Sequence, residues 1–107
     1  MDLTDPGTMR EALKDVDAVI HLAAYYTFTG RRELYEIVNV KGTADLLAAC
    51  KEKGVRRFIY CSSTEAMGPI DRPPGDEGSP LRPQYEYGRS KVRAEELVRA
   101  SGLDWTI

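Results

Sequence analysis

The sequence predicts an α/β domain: a parallel sheet of about three strands with flanking helices. Two stretches carry the prediction. "VDAVIHLAA" (16–24) is a continuous apolar run, as expected of a strand covered on both faces. "VRRFIYCSS" (55–63) is rich in β-branched and aromatic residues. Helical patterns separate the strands, and that alternation argues for βαβ units around a parallel sheet.

The elements follow in order. "TDPGTMREALKD" opens with cap-like Thr4 and Asp5 and predicts a short helix from about Thr8 to Lys14. After the first strand comes a polar, aromatic loop, "YYTFTGRR". A long helix is then predicted from about Glu33 to Lys53, with Gly54 as its stop and Ile37, Val40, Ala44, Leu47 and Ala48 as its apolar stripe. The second strand leads into about twenty residues rich in Pro and Gly, "TEAMGPIDRPPGDEGSPLRPQ". A helix from about Tyr85 to Ser101 follows, and "LDWTI" (103–107) predicts a third strand. The chain starts on "DL" and stops in mid-strand, leaving sheet edges and a packing face uncovered. A central fragment of a larger domain is therefore expected.

At 107 residues, 42% hydrophobic and 30% charged, the chain has the composition of a soluble globular domain. A net charge of −2, with both signs interleaved, advertises neither nucleic acid nor an anionic membrane. No signal peptide or membrane-spanning run is evident, so a cytoplasmic protein is expected. Cys50 and Cys61 have neither metal-ligand nor redox spacing and read as small buried residues. His21 is the only histidine, which excludes a His-based metal cluster; no metal is expected, and its place in an apolar strand predicts a hydrogen-bonded core residue.

The chemistry gathers in "YEYGRSK" (85–91). On a helix, Tyr87, Lys91, Ala94 and Val98 share one stripe, while Glu86, Arg89, Arg93 and Glu96 face water. A lysine on an inward stripe needs a partner, because its ammonium is costly to bury alone. A free phenol, with a pKa near ~10, is a poor base at neutral pH, and a fixed cation one turn away stabilises the phenolate. The plain alternative is a core tyrosine beside a snorkelling lysine. Against it stands the surrounding pattern: Ser62 or Ser63 at a strand's carboxyl end, where ligands bind in open α/β sheets, and then a long loop.

With "DL" (2–3), "VDAVIHLAA" (16–24), "NVKGT" (39–43), "GVRRFIYCSSTEAMG" (54–68), "YGRSK" (87–91) and "LDWTI" (103–107), the chain resembles the extended short-chain dehydrogenase/reductases. This is the NAD-dependent epimerase/dehydratase family, and the lean is toward its 3-beta-hydroxysteroid dehydrogenase and dihydroflavonol reductase-like branch. The resemblance implies that residues 1–107 form part of an NAD(P)-binding Rossmann-like, doubly wound parallel sheet. It further implies Tyr87 as catalytic acid/base, Lys91 as its tuning residue and ribose ligand, and Ser63 as the catalytic serine. Leu22, Ala23 and Ala24 would line NAD or NADP, with Ser62 among the cofactor-binding positions; Asp2 and Leu3 would meet the adenine. Asn39 would brace the neighbouring strand by hydrogen bonds near the cofactor. Glu65 matches only half of the Asp-Glu pair of the sugar-nucleotide dehydratases and reads as a loop carboxylate. Tyr25, Tyr26 and Phe28 read as half-exposed packing residues or substrate contacts.

No G-x-x-G-x-x-G phosphate loop occurs in the sequence, and members of the family continue past a segment like "LDWTI" into a substrate domain, so the middle of such an enzyme is expected. The expected function is hydride transfer between a nicotinamide and a hydroxyl or carbonyl carbon of a small-molecule substrate: a nucleotide sugar, a steroid or a flavonol. The alternatives are a non-enzymatic dinucleotide-binding or scaffold module, or an inactive fragment. The helices near 33–53 and 87–101 resemble the family's dimer-forming pair and imply a homodimer.

Overall fold

The computed structural model describes residues 1–27 and 29–107; Phe28, read above as a loop aromatic, lies outside the described residues. Three strands, β1 (Ala18–His21), β2 (Arg57–Tyr60) and β3 (Asp104–Thr106), form a parallel sheet in the order β1-β2-β3. The predicted fold class stands. The register sets Val19 beside Phe58 beside Trp105 on one face, and Ile20 beside Ile59 beside Thr106 on the other.

Only the first of these faces is covered by helices. Met9 and Leu13 from the first helical stretch join Leu46, Leu47 and Cys50, Ala94 and Val98, and Phe58 and Tyr60 in one core. Both crossovers carry the chain one strand in the same direction, and right-handed connections then lay their helices on one side. The expectation that β1 is covered on both faces is corrected accordingly: Ile20 is 62% exposed.

Helix α1 runs over Pro6–Ala12, two residues earlier than predicted. Asp5 caps it by accepting from the Gly7 N–H at 2.8 Å, and Pro6 sits in the first turn, where it has no hydrogen bond to lose. The long helix is continuous but has three parts: α2 (Arg32–Leu34), a π-helical segment (Tyr35–Lys41) and α3 (Gly42–Lys53). Within the π segment the ladder reaches back five residues, as when the Gly42 N–H bonds to the Ile37 carbonyl. Wider winding changes the helical phase. The buried positions become Tyr35, Asn39, Thr43, Leu46, Leu47 and Cys50, while predicted stripe members Ile37 and Ala48 face outward. Gly54 ends α3 in the left-handed conformation, at φ 73°.

After β2 comes a helix the sequence reading treated as loop, α4 (Thr64–Met67), with Ser63 as N-cap. Helix α5 (Glu86–Arg99) starts one residue after Tyr85. None of the helices is long and apolar enough to cross a membrane among the described residues.

Candidate active site

The site forms where β1 and β2 end and α5 begins. Its position depends on a close approach between helices: a methyl group on Gly88 would lie 2.3 Å from the Glu65 carbonyl oxygen. Glycine there lets the first turn of α5 press onto α4, setting Tyr87 beside Ser63. The Ser63 side chain accepts the Glu65 N–H at 3.2 Å as the cap of α4, and its hydroxyl also exerts a hydrogen-bonding pull on the Tyr87 phenol.

Tyr87 is held from behind by its own motif. Ser90 donates to the Tyr87 carbonyl at 2.7 Å and accepts from the Asn39 amide at 2.9 Å. Asn39, 1% exposed, closes the circuit on the loop after β1. Its Oδ1 accepts from the Tyr25 N–H at 2.7 Å, and its Nδ2 donates to the Tyr25 carbonyl at 3.0 Å. The π winding is what turns Asn39 inward for this clamp. Its polar atoms are thus occupied by protein, and it braces the site rather than lining a ligand.

Lys91 is 2% exposed, unusual for a lysine. Its Nζ donates to the Cys61 carbonyl at 2.7 Å and lies 4.2 Å from the centre of the Tyr60 ring. Burial lowers its pKa, opposed by the neighbouring Cys61 and Glu95. The expectation that Lys91 holds the Tyr87 pKa down needs correction for the chain as folded. Burial raises the phenol above its ordinary value, the Ser63 hydrogen bond pulls the other way, and the ammonium faces Cys61 and Tyr60 instead.

Two participants went unread in the sequence. Glu95, 5% exposed, accepts from the Ser62 hydroxyl at 2.5 Å and pairs with Arg99 at 2.9 Å. The four-residue spacing of Tyr87, Lys91, Glu95 and Arg99 was the signal that could have found it. The other is Tyr60, next to the Cys61 carbonyl.

His21 is a buried core residue, as its strand predicted. Its Nε2 lies 3.0 Å from the Thr43 hydroxyl, which donates its one proton to the Asn39 carbonyl at 2.7 Å. Nε2 must therefore carry the imidazole proton. Cys50 is buried, but Cys61 is exposed at the strand end, contrary to expectation, because the chain has left the covered face there.

Leu22, Ala23 and Ala24 are exposed just beyond β1. Asp2 and Leu3 lie apart from Tyr87 in the turn before α1. The Asp2 carboxylate accepts from the Thr4 N–H at 2.8 Å, and Leu3 packs against Gly42 at the head of α3. A cavity of about 470 Å³ opens beside Tyr87, walled by Tyr26, Tyr35, Tyr85, Glu65 and Glu86. The Tyr26 and Tyr87 rings meet edge to face at 4.7 Å.

Known proteins resemble the chain in sequence and in fold. The chain is 38% identical over 109 residues to a 3 beta-hydroxysteroid dehydrogenase/Delta 5-->4-isomerase of monkeypox virus, covering 91% of the chain and 30% of the viral protein. It is 37% identical over 99 residues to the N-acetyl-alpha-D-glucosaminyl-diphospho-ditrans,octacis-undecaprenol 4-epimerase of Escherichia coli O157:H7, covering 92% of the chain and 30% of that enzyme. The chain thus spans about a third of the length of these relatives. A short-chain dehydrogenase/reductase superfamily protein from Agrobacterium tumefaciens, solved with bound NAD, superposes with a TM-score of 0.89 at 38% identity, over 92% of this chain and 31% of that one. Three parallel strands with their helices and a family match over residues 1–104 lead to one conclusion: the chain belongs to the 3-beta hydroxysteroid dehydrogenase/isomerase family.

Proposed function

We propose that residues 1–107 are the central part of a Rossmann domain and carry the proton-transfer half of an NAD(P)-dependent oxidoreductase or epimerase site. The reaction class is interconversion of a hydroxyl and a carbonyl carbon on a small-molecule substrate. One observation above all supports this reading: a tyrosine on a cavity wall stands beside a serine, with a buried lysine one helical turn on.

Tyr87 exchanges a proton with the substrate oxygen, and Ser63 hydrogen-bonds that same oxygen and orients it. Because burial raises the Tyr87 pKa, the phenol is protonated at neutral pH, the form that gives a proton to a carbonyl oxygen. The residues present fit the nicotinamide-ribose end of a dinucleotide. Leu22, Ala23 and Ala24 offer an exposed strand end, and Ser62 and Lys91 stand at the next one. Asp2 and Leu3 are assigned to the adenine end through the resemblance alone. Bound NAD(P) supplies the two-electron redox partner. The cradle for its pyrophosphate, a G-x-x-G-x-x-G turn, is not among these residues.

Fluorescence titration of the chain with NADH and NADPH tests binding, and saturation is expected. Substituting Tyr87→Phe should abolish nicotinamide-linked turnover while sparing that binding; unchanged turnover overturns the assignment. In the same reading, the long helix and α5 pair with their counterparts in a homodimer, supported by Ile37, 42% exposed on the π segment. A monomer mass in light scattering at high concentration overturns the dimer.

A further inference from the structure

We infer that Tyr60 is a positioning residue: its ring face, together with the Cys61 carbonyl, forms a built seat that fixes the Lys91 ammonium. The functional meaning of the seat rests on the role proposed above for Lys91; its physical existence does not.

The geometry is that of a cation over an aromatic face. Lys91 Nζ lies 4.2 Å from the Tyr60 ring centre, inside the range where a ring's negative face attracts an ammonium. Both side chains are withdrawn from water, with Tyr60 3% exposed, and the attraction is stronger where water is excluded. Nζ also donates to the Cys61 carbonyl at 2.7 Å, so the ammonium is held between a π face and a peptide oxygen. That oxygen belongs to the residue directly before Ser62 and Ser63. The same strand end is tied a second time to α5, by the Ser62–Glu95 hydrogen bond at 2.5 Å.

Tyr60 itself is immobilised. It lies in β2, paired with His21 of β1, and the His21 ring sits 5.5 Å from its own. Its hydroxyl is pushed far above the ordinary phenol range by burial, so it contributes no charge of its own at neutral pH. The groups facing Lys91 are then His21 from β1, Tyr60 from β2, Cys61 just beyond it, and Glu95 from α5. His21 is neutral near pH 7, being held down to about 4. Glu95 is shared with Ser62 and Arg99. The ring face and the carbonyl are therefore the contacts that position the ammonium. A phenylalanine would keep the face, whereas a leucine, apolar but without a ring, would remove it.

The test follows the Lys91 side-chain resonances during a pH titration of the full chain labelled with carbon-13 lysine. Lys91→Arg identifies the signal. In the wild type, the Lys91 methylene protons next to Nζ should be moved upfield by the ring current. In Tyr60→Leu that displacement should vanish, and Lys91 should titrate roughly half to one and a half pH units lower. Tyr60→Phe should restore both. If Tyr60→Leu leaves the Lys91 titration unchanged, or Tyr60→Phe falls with it, the seat is overturned. Should the leucine variant not fold, the wild-type spectrum decides: Lys91 methylenes at ordinary frequencies overturn the proposal. None of these readouts requires turnover. A moved Lys91 with no nicotinamide chemistry would leave the seat standing and sink the function proposed above; the reverse pattern would do the opposite.

Discussion

Gly88 and Glu65 touch across two helices with no room for a side chain: a Cβ on Gly88 would lie 2.3 Å from the Glu65 carbonyl oxygen and 3.0 Å from Pro83. The obstacle is largely backbone, which cannot swing aside. Gly88→Ala should therefore push α4 off α5 and separate Ser63 from Tyr87, at a cost of about 1–3 kcal/mol. Urea denaturation checks the stability. Relief of the Ser63 hydrogen bond should also raise the Tyr87 titration further, which NMR of ring-labelled tyrosine can follow.

Asn39 is the next place where one side chain holds two segments. Asn39→Leu leaves the Tyr25 peptide and the Ser90 hydroxyl without their amide partner, a loss of about 2–4 kcal/mol. Denaturation gives the size of the effect. Hydrogen exchange at the Tyr25 amide gives its place, and protection there should drop by at least tenfold.

His21 makes stability fall in acid. Burial first, and the Lys91 charge second, hold it down to about 4 from an ordinary 6.5. Between these two values the unfolded chain binds a proton that the folded chain refuses. Stability is therefore retained above pH 6.5 and lost as pH falls toward 4, by about 3 kcal/mol from this group. Acid-range denaturation of wild type and His21→Phe isolates the effect, since other groups contribute equally to both. The variant's curve should be flatter over that window.

The two cysteines should differ in reactivity. Cys61 is exposed; Cys50 is fully buried, and burial pushes its thiol up to about 11. A chromogenic disulfide reagent should modify one thiol in the native chain and both in denaturant. Cys61→Ser should abolish the native reaction.

Much of this was legible because it rests on local chemistry. The Gly54 stop needs only the left-handed conformation, and the inward lysine of "YGRSK" needs only helical spacing. The pattern around β1 and β2 was enough for the parallel sheet, since short apolar runs between helices leave few other arrangements. The π segment was not legible: a regular period of 3.6 was assumed through residues 35–41, so the stripe came out with Ile37 and Ala48 facing the core. Helix α4 was missed although Ser63 and Gly68 bracket it as cap and stop, because the Pro-rich stretch behind it dominated the reading. Glu95 was missed because a carboxylate in a helix is expected to be wet, and its burial depends on Ser62 and Arg99, far apart in sequence. Cys61 was misplaced because where a strand leaves its covering layer is a tertiary fact.

The π segment has a consequence for how this chain tolerates length changes. Seven residues wound at the wider gauge behave like a stored insertion. Deleting one residue between Tyr35 and Lys41 would let the backbone relax to ordinary α winding, which by itself is favourable. The same deletion, made at Val40, would bring Asn39 one position nearer α3 along the helix and take its amide away from Tyr25 and Ser90. The helix would be more regular and the loop after β1 would lose its anchor. Residues 35–41 therefore form a ruler whose graduation matters more than its lettering: substitutions on its outer side leave the site in place, and a single missing residue does not.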